Sequence, residues 1–375
     1  MTHRERFLRT MHFQPVDHVP DQEFGYWDEV FAIWHAQGLP KEVDSNERAD
    51  AYFGFAPMGH VPVHHGLTPG FEARVLEETE RYRIVQDEAG ARSIVHKSGQ
   101  SSIPHFLEFA LKDRETWERD FRPRLDPDDP ERRPQEAFDA QREEWAARDY
   151  PLGVSIGSLY GWIRNWAGFE GAAMLVHDDR ALLEEIMERI TQMIVRNVEW
   201  AASQIPLDFG AGWEDMCFNA GPMISPADFE KLMVPRYQRI TEVLRRHGCD
   251  VIYTDCDGNI THLVPLWLEA GINCMFPVEV AAGTDPLALR DKYGKQVLLM
   301  GGVNKRALIA GQEEIRREVD RIAPYVREGG WIPHVDHRVP PDVTYGNYLY
   351  YLRYKRDTFG LPEPAPWDER RPGDW

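Results

Sequence analysis

Strand-like and helix-like segments alternate along the chain from about residue 150 onward, and this alternation limits the fold more than any other feature. Short apolar runs such as PLGVSIG, VIYTD and QVLLM are each followed by a stretch of helical periodicity. This order favours parallel strands joined by crossover helices. A doubly wound sheet would share it, but the sequence lacks the glycine-rich motifs G-x-G-x-x-G and G-x-x-x-x-G-K-[ST]. We therefore predict an α/β fold, a (β/α)₈ TIM barrel.

The first 150 residues are less regular than the rest. HVPDQEFGYW reads as an early barrel strand, and residues 71–96 read as extended segments around a turn, an antiparallel excursion outside the barrel. Residues 113–150 are dense in charge and proline, which predicts a solvated helical cover. We expect one domain over residues 1–375, in which residues 71–150 form a peripheral insertion.

Composition and charge exclude several classes of partner. The net charge is −19, from 62 acidic and 43 basic residues, and such a surface repels nucleic acid and anionic membranes. No apolar run is long enough to cross a membrane, and no apolar stretch follows the basic N-terminus MTHRERFLRTMHF. We expect a cytoplasmic protein without a secretory signal. The four cysteines form no C-x-x-C pair, which excludes zinc ribbons and dithiol redox motifs.

Polar residues follow the predicted strands, at the face of a barrel where loops converge and chemistry occurs. In TDCDGN, Asp255 and Asp257 alternate with Cys256, so both carboxylates point the same way in an extended segment. Two adjacent carboxylates share a proton or neutralise one another on a cation. The structural alternative is a turn at Asp257 and Gly258, with Asn259 capping the next helix.

The segment PHVDHRVPP places His334, Asp336 and His337 after the last apolar run. A histidine beside a carboxylate is how a general base is oriented or a metal ligand is fixed, although a packed histidine would look the same. Glu214 and Asp215 in GWEDM either bind substrate or metal, or hold a neighbouring loop.

Aromatic residues cluster in SLYGWIRNWAGFE, which contains Tyr160 and Trp162. They could wall a pocket for an aromatic ring, and the alternative is ordinary core packing.

Taken in order, these segments resemble the uroporphyrinogen decarboxylase superfamily, which includes the decarboxylase of haem synthesis and the corrinoid-dependent methyltransferases. The resemblance runs from TMHFQPVDHVP through GWEDMCFNAGPMISPADFEKLMVPRY and TDCDGNITHLVPLWLEAGINCMFPVE to GGWIPHVDHRVPPDVTYGNY. Its more specific parts are S-P-x-x-F-E at 225–230 and GGVNK at 301–305. It implies the same barrel fold.

Two departures from the family pattern bear on function. Uroporphyrinogen decarboxylases carry R-Q-A-G-R near the N-terminus, whose arginines hold substrate carboxylates, whereas this chain has DQEFGYW. Asp21 and Glu23 should repel such a substrate. The corrinoid:thiol methyltransferases hold zinc with H-x-C-G-N and a later cysteine, where this chain has Asp255, Asp257 and, on or beside the last position, His337. This set is harder than a zinc–thiolate site, so activation of a thiol is not expected.

The resemblance then implies a methyltransferase of the O-demethylase type, which moves a methyl group from a small donor, such as an aryl ether, to a corrinoid on a partner protein. Asp255, Asp257 and His337 would be catalytic, and with Glu279 they would hold a divalent metal, zinc being the first candidate. The substrate would contact Tyr160, Trp162, Glu214, Asp215, Asn304 and His334. A metal-free decarboxylase or lyase acting on a small acid, and a barrel that only binds a ligand, are the alternatives. The family also suggests a homodimer.

Overall fold

The computed structural model describes residues 1–97 and 104–364, in which helices and strands alternate as predicted. The helices are α1 (His3–Met11), α2 (Asp28–Ala36), α3 (Asn46–Phe53), α4 (Arg114–Thr116), α5 (Gln135–Ala147), α6 (Tyr160–Asp178), α7 (Arg180–Gln204), α8 (Pro226–Leu232), α9 (Val234–Arg246), α10 (Val264–Ala270), α11 (Pro286–Tyr293), α12 (Lys305–Ala310), α13 (Gln312–Arg327) and α14 (Tyr345–Phe359). The strands are β1 (Gly59–Val61), β2 (Arg74–Glu78), β3 (Tyr82–Gln86), β4 (Arg92–His96), β5 (His105–Glu108), β6 (Leu152–Gly157), β7 (Phe209–Trp213), β8 (Cys217–Phe218), β9 (Gly221–Pro222), β10 (Ile252–Asp255), β11 (Cys274–Phe276), β12 (Leu298–Met300) and β13 (Trp331–Ile332).

The central sheet has seven strands in the order β1-β6-β7-β10-β11-β12-β13. Every neighbouring pair in it is parallel. Because β6, β7, β10, β11, β12 and β13 follow one another both in the chain and in the sheet, each crossover returns to the adjacent position, as in a barrel.

The segment 21–27 occupies the eighth position, between β13 and β1. On one side, the Val339 amide donates to the Gly25 carbonyl over 2.8 Å, and Tyr26 forms a parallel bridge with Val339. On the other side, the Ala56 amide donates to the Asp21 carbonyl over 2.7 Å. HVPDQEFGYW, predicted as a strand, thus lies at the predicted place but contains a single bridge residue, Tyr26, and the fold is a (β/α)₈ TIM barrel.

Inward-facing side chains and α1 fill the interior of the barrel. Phe209, Cys274 and Leu298 form one buried cluster with Phe7 and Met11 of α1. The ring of Phe209 contacts the ring of Phe7 at a centroid distance of 5.8 Å. Because α1 packs against these interior residues, polar chemistry is left to the other end of the barrel, where the strands end.

The predicted antiparallel excursion is also confirmed. Strands β2 to β5 form a separate four-stranded sheet with antiparallel pairing throughout. After it, the charged region 113–150 buries Trp117, Phe121 and Trp145 against the core; most of its charged side chains stay outside, but Arg132 is completely buried. The assignment of residues 1–375 to a single domain stays a prediction. Among the described residues, no helix combines the length and the apolar character that a membrane span requires.

Candidate active site

Three aspartates converge where β7 and β10 end. Asp255 is the last residue of β10, Asp257 follows two residues later, and Asp215 lies two residues after the end of β7. One carboxylate oxygen from each lies within 4.8 Å of the other two. Like charges at this spacing repel, so the acid cluster, as we call Asp215, Asp255 and Asp257, requires either shared protons or a bound cation.

The loops that carry the acid cluster pack directly against each other. The Asn259 amide donates to the Phe218 carbonyl over 3.0 Å. Gly258 has a φ of +86°, and a Cβ there would lie 2.5 Å from the Cys217 carbonyl oxygen, so the approach requires glycine. Asp215 itself has a φ of +43°, a conformation that costs energy in a residue with a side chain. TDCDGN thus bends at Gly258, where a turn was predicted, and the bend brings Asp257 to the cluster. Asn259 does not cap the next helix, because the N-cap residue of α10 is Leu263.

Burial and charge repulsion shape the electrostatics of the cluster. Burial, then Asp215 and Asp257, raise the pKa of Asp255 well above its ordinary value, and Arg338 opposes part of that rise. Burial and the charge of Asp257 likewise raise the pKa of Asp215. The Oδ1 atoms of Asp255 and Asp257 are buried and have no hydrogen-bond partner among the described residues. Burying an acceptor without a donor costs free energy, and a bound cation would remove this cost.

His337 joins the cluster through Asp257. Its Nε2 lies 3.0 Å from Asp257 Oδ2, and its side chain is 14% exposed. The Trp27 ring stacks on the imidazole at a centroid distance of 5.5 Å, and the Phe24 ring meets it edge-on at 5.6 Å. Two aromatic contacts and one carboxylate therefore fix its orientation. His337 was predicted as a metal ligand, and in the structure it is the partner of a carboxylate of the cluster.

Glu214 was predicted to orient substrate, and the structure gives it a different environment. Its side chain is completely buried. Its two oxygens accept hydrogen bonds from four donors, namely the Ser158 hydroxyl, the amides of Leu159 and Gly161, and the Tyr237 hydroxyl. With every oxygen engaged, Glu214 holds the start of α6 against β7 and α9.

Two other predicted residues lie outside the acid cluster. Glu279, predicted as a metal ligand, accepts hydrogen bonds from Lys305 Nζ over 2.6 Å and from the Gly258 amide over 2.9 Å. The lysine already neutralises its charge. Asn304, predicted to bind substrate, caps α12, where its side-chain oxygen accepts from the Arg306 amide. Both side chains thus support the loops of the barrel mouth.

Tyr160 and Trp162, predicted to line a pocket, begin α6 beside the cluster. Tyr160 is completely buried, and burial raises its pKa to about 12. Its hydroxyl and the Trp162 Nε1 have no hydrogen-bond partner among the described residues. The Trp162 ring contacts those of Trp166 and Trp213 at centroid distances of 5.8 and 5.0 Å. Tyr160 and Trp162 therefore pack in the core, and each has a hydrogen-bond donor without an acceptor among the described residues.

Sequence reasoning missed several residues of this site. Trp27 and Phe24, which contact His337, belong to a segment read only as a strand. The positive charge of Arg338 lowers the pKa of Asp255. The Arg164 guanidinium donates to the Asp215 carbonyl over 2.5 Å. Arg338 directly follows His337 in PHVDHRVPP, so adjacency in the chain could have indicated it.

A cavity of about 780 Å³ extends from Phe24 and Phe276 to Met58 and Asp149, which precede β1 and β6. Phe24 lines it and also contacts the His337 ring, so the cavity and the cluster share a wall. None of the three aspartates lines it. His334, predicted to bind substrate, does line it. Burial lowers the pKa of His334 to about 3, so its imidazole is neutral.

The raised pKa of Asp50, which lines this cavity, predicts that the stability of the protein depends on pH. Burial, then the charges of Glu23 and Glu47, raise its pKa to about 7. The unfolded value is near 3.9, so the folded state holds this proton more tightly, and the contribution of Asp50 to stability falls as pH rises from about 4 to about 7. The substitution Asp50→Asn removes this loss of stability, because asparagine does not ionise. As the pH rises from about 5 to about 8, we expect the free energy of unfolding of the variant to increase relative to that of wild type. Urea denaturation at each pH measures this difference. The exposed Asp342→Asn is the control, and a constant difference between Asp50→Asn and wild type would contradict the expectation.

Comparisons with known proteins connect this site to a family. Residues 124–354 match the model of uroporphyrinogen decarboxylase (URO-D). The chloroplastic uroporphyrinogen decarboxylase of Zea mays is 23% identical over 164 residues, which cover 43% of this chain and 38% of that protein. The uroporphyrinogen decarboxylase of Geobacter sp. (strain M21) is 28% identical over 185 residues, or 47% of this chain and 49% of that protein. The chain thus matches less than half the length of these curated relatives.

A solved structure extends the likeness in fold over nearly the whole chain. A methyltransferase from Methanosarcina mazei superposes with a TM-score of 0.58 at 16% identity, covering 96% of this chain and 99% of that one. At this identity the likeness concerns the fold. The family match includes β6 to β13, whose ends carry the acid cluster and His337. The chain belongs to the uroporphyrinogen decarboxylase (URO-D) family.

Proposed function

We propose that this protein is a metal-dependent methyltransferase of the O-demethylase type. It would take a methyl group from a small methyl ether, with an aryl ether as the first candidate, and pass it to a corrinoid on a partner protein. The observation that carries the proposal is the acid cluster: three carboxylates within 4.8 Å at the strand ends of a URO-D barrel.

The residues of the cluster fit a divalent cation. Asp215, Asp255 and Asp257 each offer an oxygen, and two of the three have a buried oxygen without a partner among the described residues. Zinc accepts carboxylate ligands, and magnesium and manganese favour them, so an all-oxygen set admits each of these ions. His337 hydrogen-bonds Asp257, which is the usual way a supporting residue orients a metal ligand.

The chain's own residues would prepare the donor for demethylation. A divalent ion, when bound, supplies a Lewis acid that polarises the ether oxygen, and a corrinoid supplies a nucleophile for the methyl carbon. In the transfer, the carbon–oxygen bond would break with its electron pair remaining on oxygen, the methyl group would pass to the corrinoid, and the oxygen would leave as an alcohol or phenol after taking up a proton. Trp27 and Phe24 shield His337 from water on two sides. Through its hydrogen bond with Asp257, His337 would orient the cluster toward the leaving oxygen.

An exposed aromatic pair lies next to the cluster, and its exposure supports the proposal that a partner protein binds there. Phe169 and Phe218 are 49% and 50% exposed, and their ring centroids are 5.3 Å apart. Phe218 belongs to the same loop as Asp215, and its carbonyl holds the Asp257 loop through Asn259. Exposed aromatic side chains are favourable centres for a protein interface. A partner bound there would bring its cofactor to the mouth of the barrel.

One observation favours a second candidate, a metal-free decarboxylase or lyase. The pKa of Asp255 is raised well above its ordinary value by burial and by the neighbouring aspartates. Burial and the neighbouring carboxylates thus favour the protonated form of Asp255, and a protonated carboxyl is what a general acid requires. The two candidates use the same residue in different protonation states, so metal content separates them.

The deciding experiment measures metal content and methyl transfer on the same preparation. Protein purified without a metal-affinity tag is expected to contain about one divalent ion per chain, as a single three-carboxylate site implies. It should transfer the methyl group of a methoxybenzoate to reduced cobalamin, read from the cobalamin spectrum, and lose this activity on chelation. Metal-free protein that releases carbon dioxide from a small acid without corrinoid would instead establish the lyase.

A further inference from the structure

The cavity beside the acid cluster has a strongly acidic lining. It extends from the rings of Phe24 and Phe276 inside the barrel to the region of α3. The carboxylates that line it are Glu23, Glu47, Asp50 and Asp149, and its described lining contains no lysine or arginine. Lys355 lies against one lining ring, with its Nζ 5.4 Å from the Phe55 centroid, and that Nζ is paired with Asp21 Oδ1 at 2.7 Å, so its charge is already engaged. The cavity is therefore complementary to a positive charge.

Unpartnered polar atoms in the same cavity indicate that a ligand is missing. Gln22 lines it and is only 5% exposed, yet neither its amide nitrogen nor its amide oxygen has a partner among the described residues. Asp50 Oδ1 is also buried without one. A buried amide with both groups unpaired is costly, and a bound molecule that hydrogen-bonds it removes this cost.

The remaining walls of the cavity are aromatic or sulfur-containing. Phe276 and Tyr253 line it together with Met58 and Met300, and so does Phe24, whose ring is already covered by the Arg338 guanidinium at 5.4 Å. Aromatic rings attract cations through their faces, and rings combined with carboxylates are the environment that binds quaternary and protonated amines. A bare metal ion would gain nothing from this apolar wall, whereas an organic cation would bury its carbon atoms there.

We propose that this cavity binds a small organic cation, a quaternary or protonated amine, with its charge near Asp50 and its carbon atoms against Phe276 and Tyr253. Gln22 would supply the hydrogen bonds that orient it. The proposal concerns binding alone and does not depend on methyl transfer or on metal at the acid cluster.

Isothermal titration calorimetry on the full chain tests this with choline, trimethylammonium and phenethylammonium as probes. The control ligand is dimethylbutanol, the neutral isostere of choline in which carbon replaces the quaternary nitrogen. We expect at least one cation to bind, choline to bind at least about tenfold more tightly than its isostere, and Asp50→Asn to weaken cation binding by at least about tenfold. Asp342→Asn, at an exposed position, should leave it unchanged.

If Asp50→Asn folds poorly, Glu47→Gln, at an exposed position, is a second test. It should weaken cation binding by a smaller factor than Asp50→Asn does. Three results would overturn the proposal: no binding of any of the three cations, equal affinity for choline and its isostere, or binding that is lost in Asp255→Asn and kept in Asp50→Asn. The last result would place the cation at the acid cluster.

Discussion

Asp255→Asn is expected to remove the bound divalent ion and to lower methyl transfer by at least about a thousandfold. A Lewis acid contributes several kcal/mol to such a reaction, and each 1.4 kcal/mol is tenfold in rate. Asparagine has the shape of aspartate but lacks the negative charge that holds the ion. The measurement is metal per chain together with the initial rate of methyl transfer, with folding checked by circular dichroism. The variant should fold, because the change relieves repulsion with Asp215 and Asp257.

Two companion variants separate ligands from supporting residues. His337→Ala should weaken metal affinity by about 10- to 100-fold, the usual cost of losing a group that orients a metal ligand. Glu279→Gln should keep the ion, because Glu279 is paired with Lys305 outside the acid cluster. Metal retained in Asp255→Asn and lost in Glu279→Gln would contradict the assignment made from the structure. It would restore the ligand set suggested by the sequence resemblance.

Much of the fold could be predicted because it depends on local pattern. The alternation of apolar runs and helical periodicity is a property of each segment, and it indicated β6, β7 and β10 to β13, but not the two-residue strands β8 and β9. Closure of the barrel was harder to predict. The segment 21–27 pairs with Val339, more than three hundred residues away, and only a few backbone hydrogen bonds mark it as the eighth strand. Its composition is that of a loop as much as that of a strand.

The site was predictable where it followed strand geometry and was missed where it depended on backbone conformation or distant partners. The two-residue spacing of Asp255 and Asp257 indicated that they lie together, although β10 ends at Asp255 and the bend at Gly258 brings Asp257 to the cluster. Asp215 reaches them only because its φ is positive, which nothing in GWEDM indicates. Glu279 has the right residue type at a strand end, yet the distant Lys305 engages it. Residue type and position thus indicated candidates, and long-range partners determined their roles.

Asp21 illustrates the same limit. The sequence suggested that it would face and repel an anionic substrate. The structure pairs its carboxylate with Lys355 Nζ at 2.7 Å and with Arg356 Nε at 2.9 Å, both on α14. Its charge is compensated inside the protein. Any discrimination against anionic ligands must therefore come from other carboxylates, of which Glu23 and Asp50 line the cavity.

Glu214→Ala is expected to destabilise the protein by about 3–5 kcal/mol, the cost of removing a buried charged acceptor from its donors. Four donors converge on this carboxylate, from Ser158, Leu159, Gly161 and Tyr237, and they would all lose their acceptor. The negative charge also lies at the N-terminus of α6, where the helix dipole favours it. Urea denaturation followed by tryptophan fluorescence measures the change in free energy of unfolding.

Graded variants test whether the hydrogen bonds cause the loss. Ser158→Ala removes one of the four donors and should cost about 1 kcal/mol, and Glu230→Ala, at an exposed position, should change stability by less than about 0.5 kcal/mol. If Glu214→Ala cost no more than Ser158→Ala, the remaining donors would have found other partners. Because Asp215 follows Glu214 directly, loosening this network should also displace one ligand of the proposed metal. A folded Glu214 variant should therefore bind the ion more weakly than wild type, which links the stability of the α6 junction to the chemistry of the acid cluster.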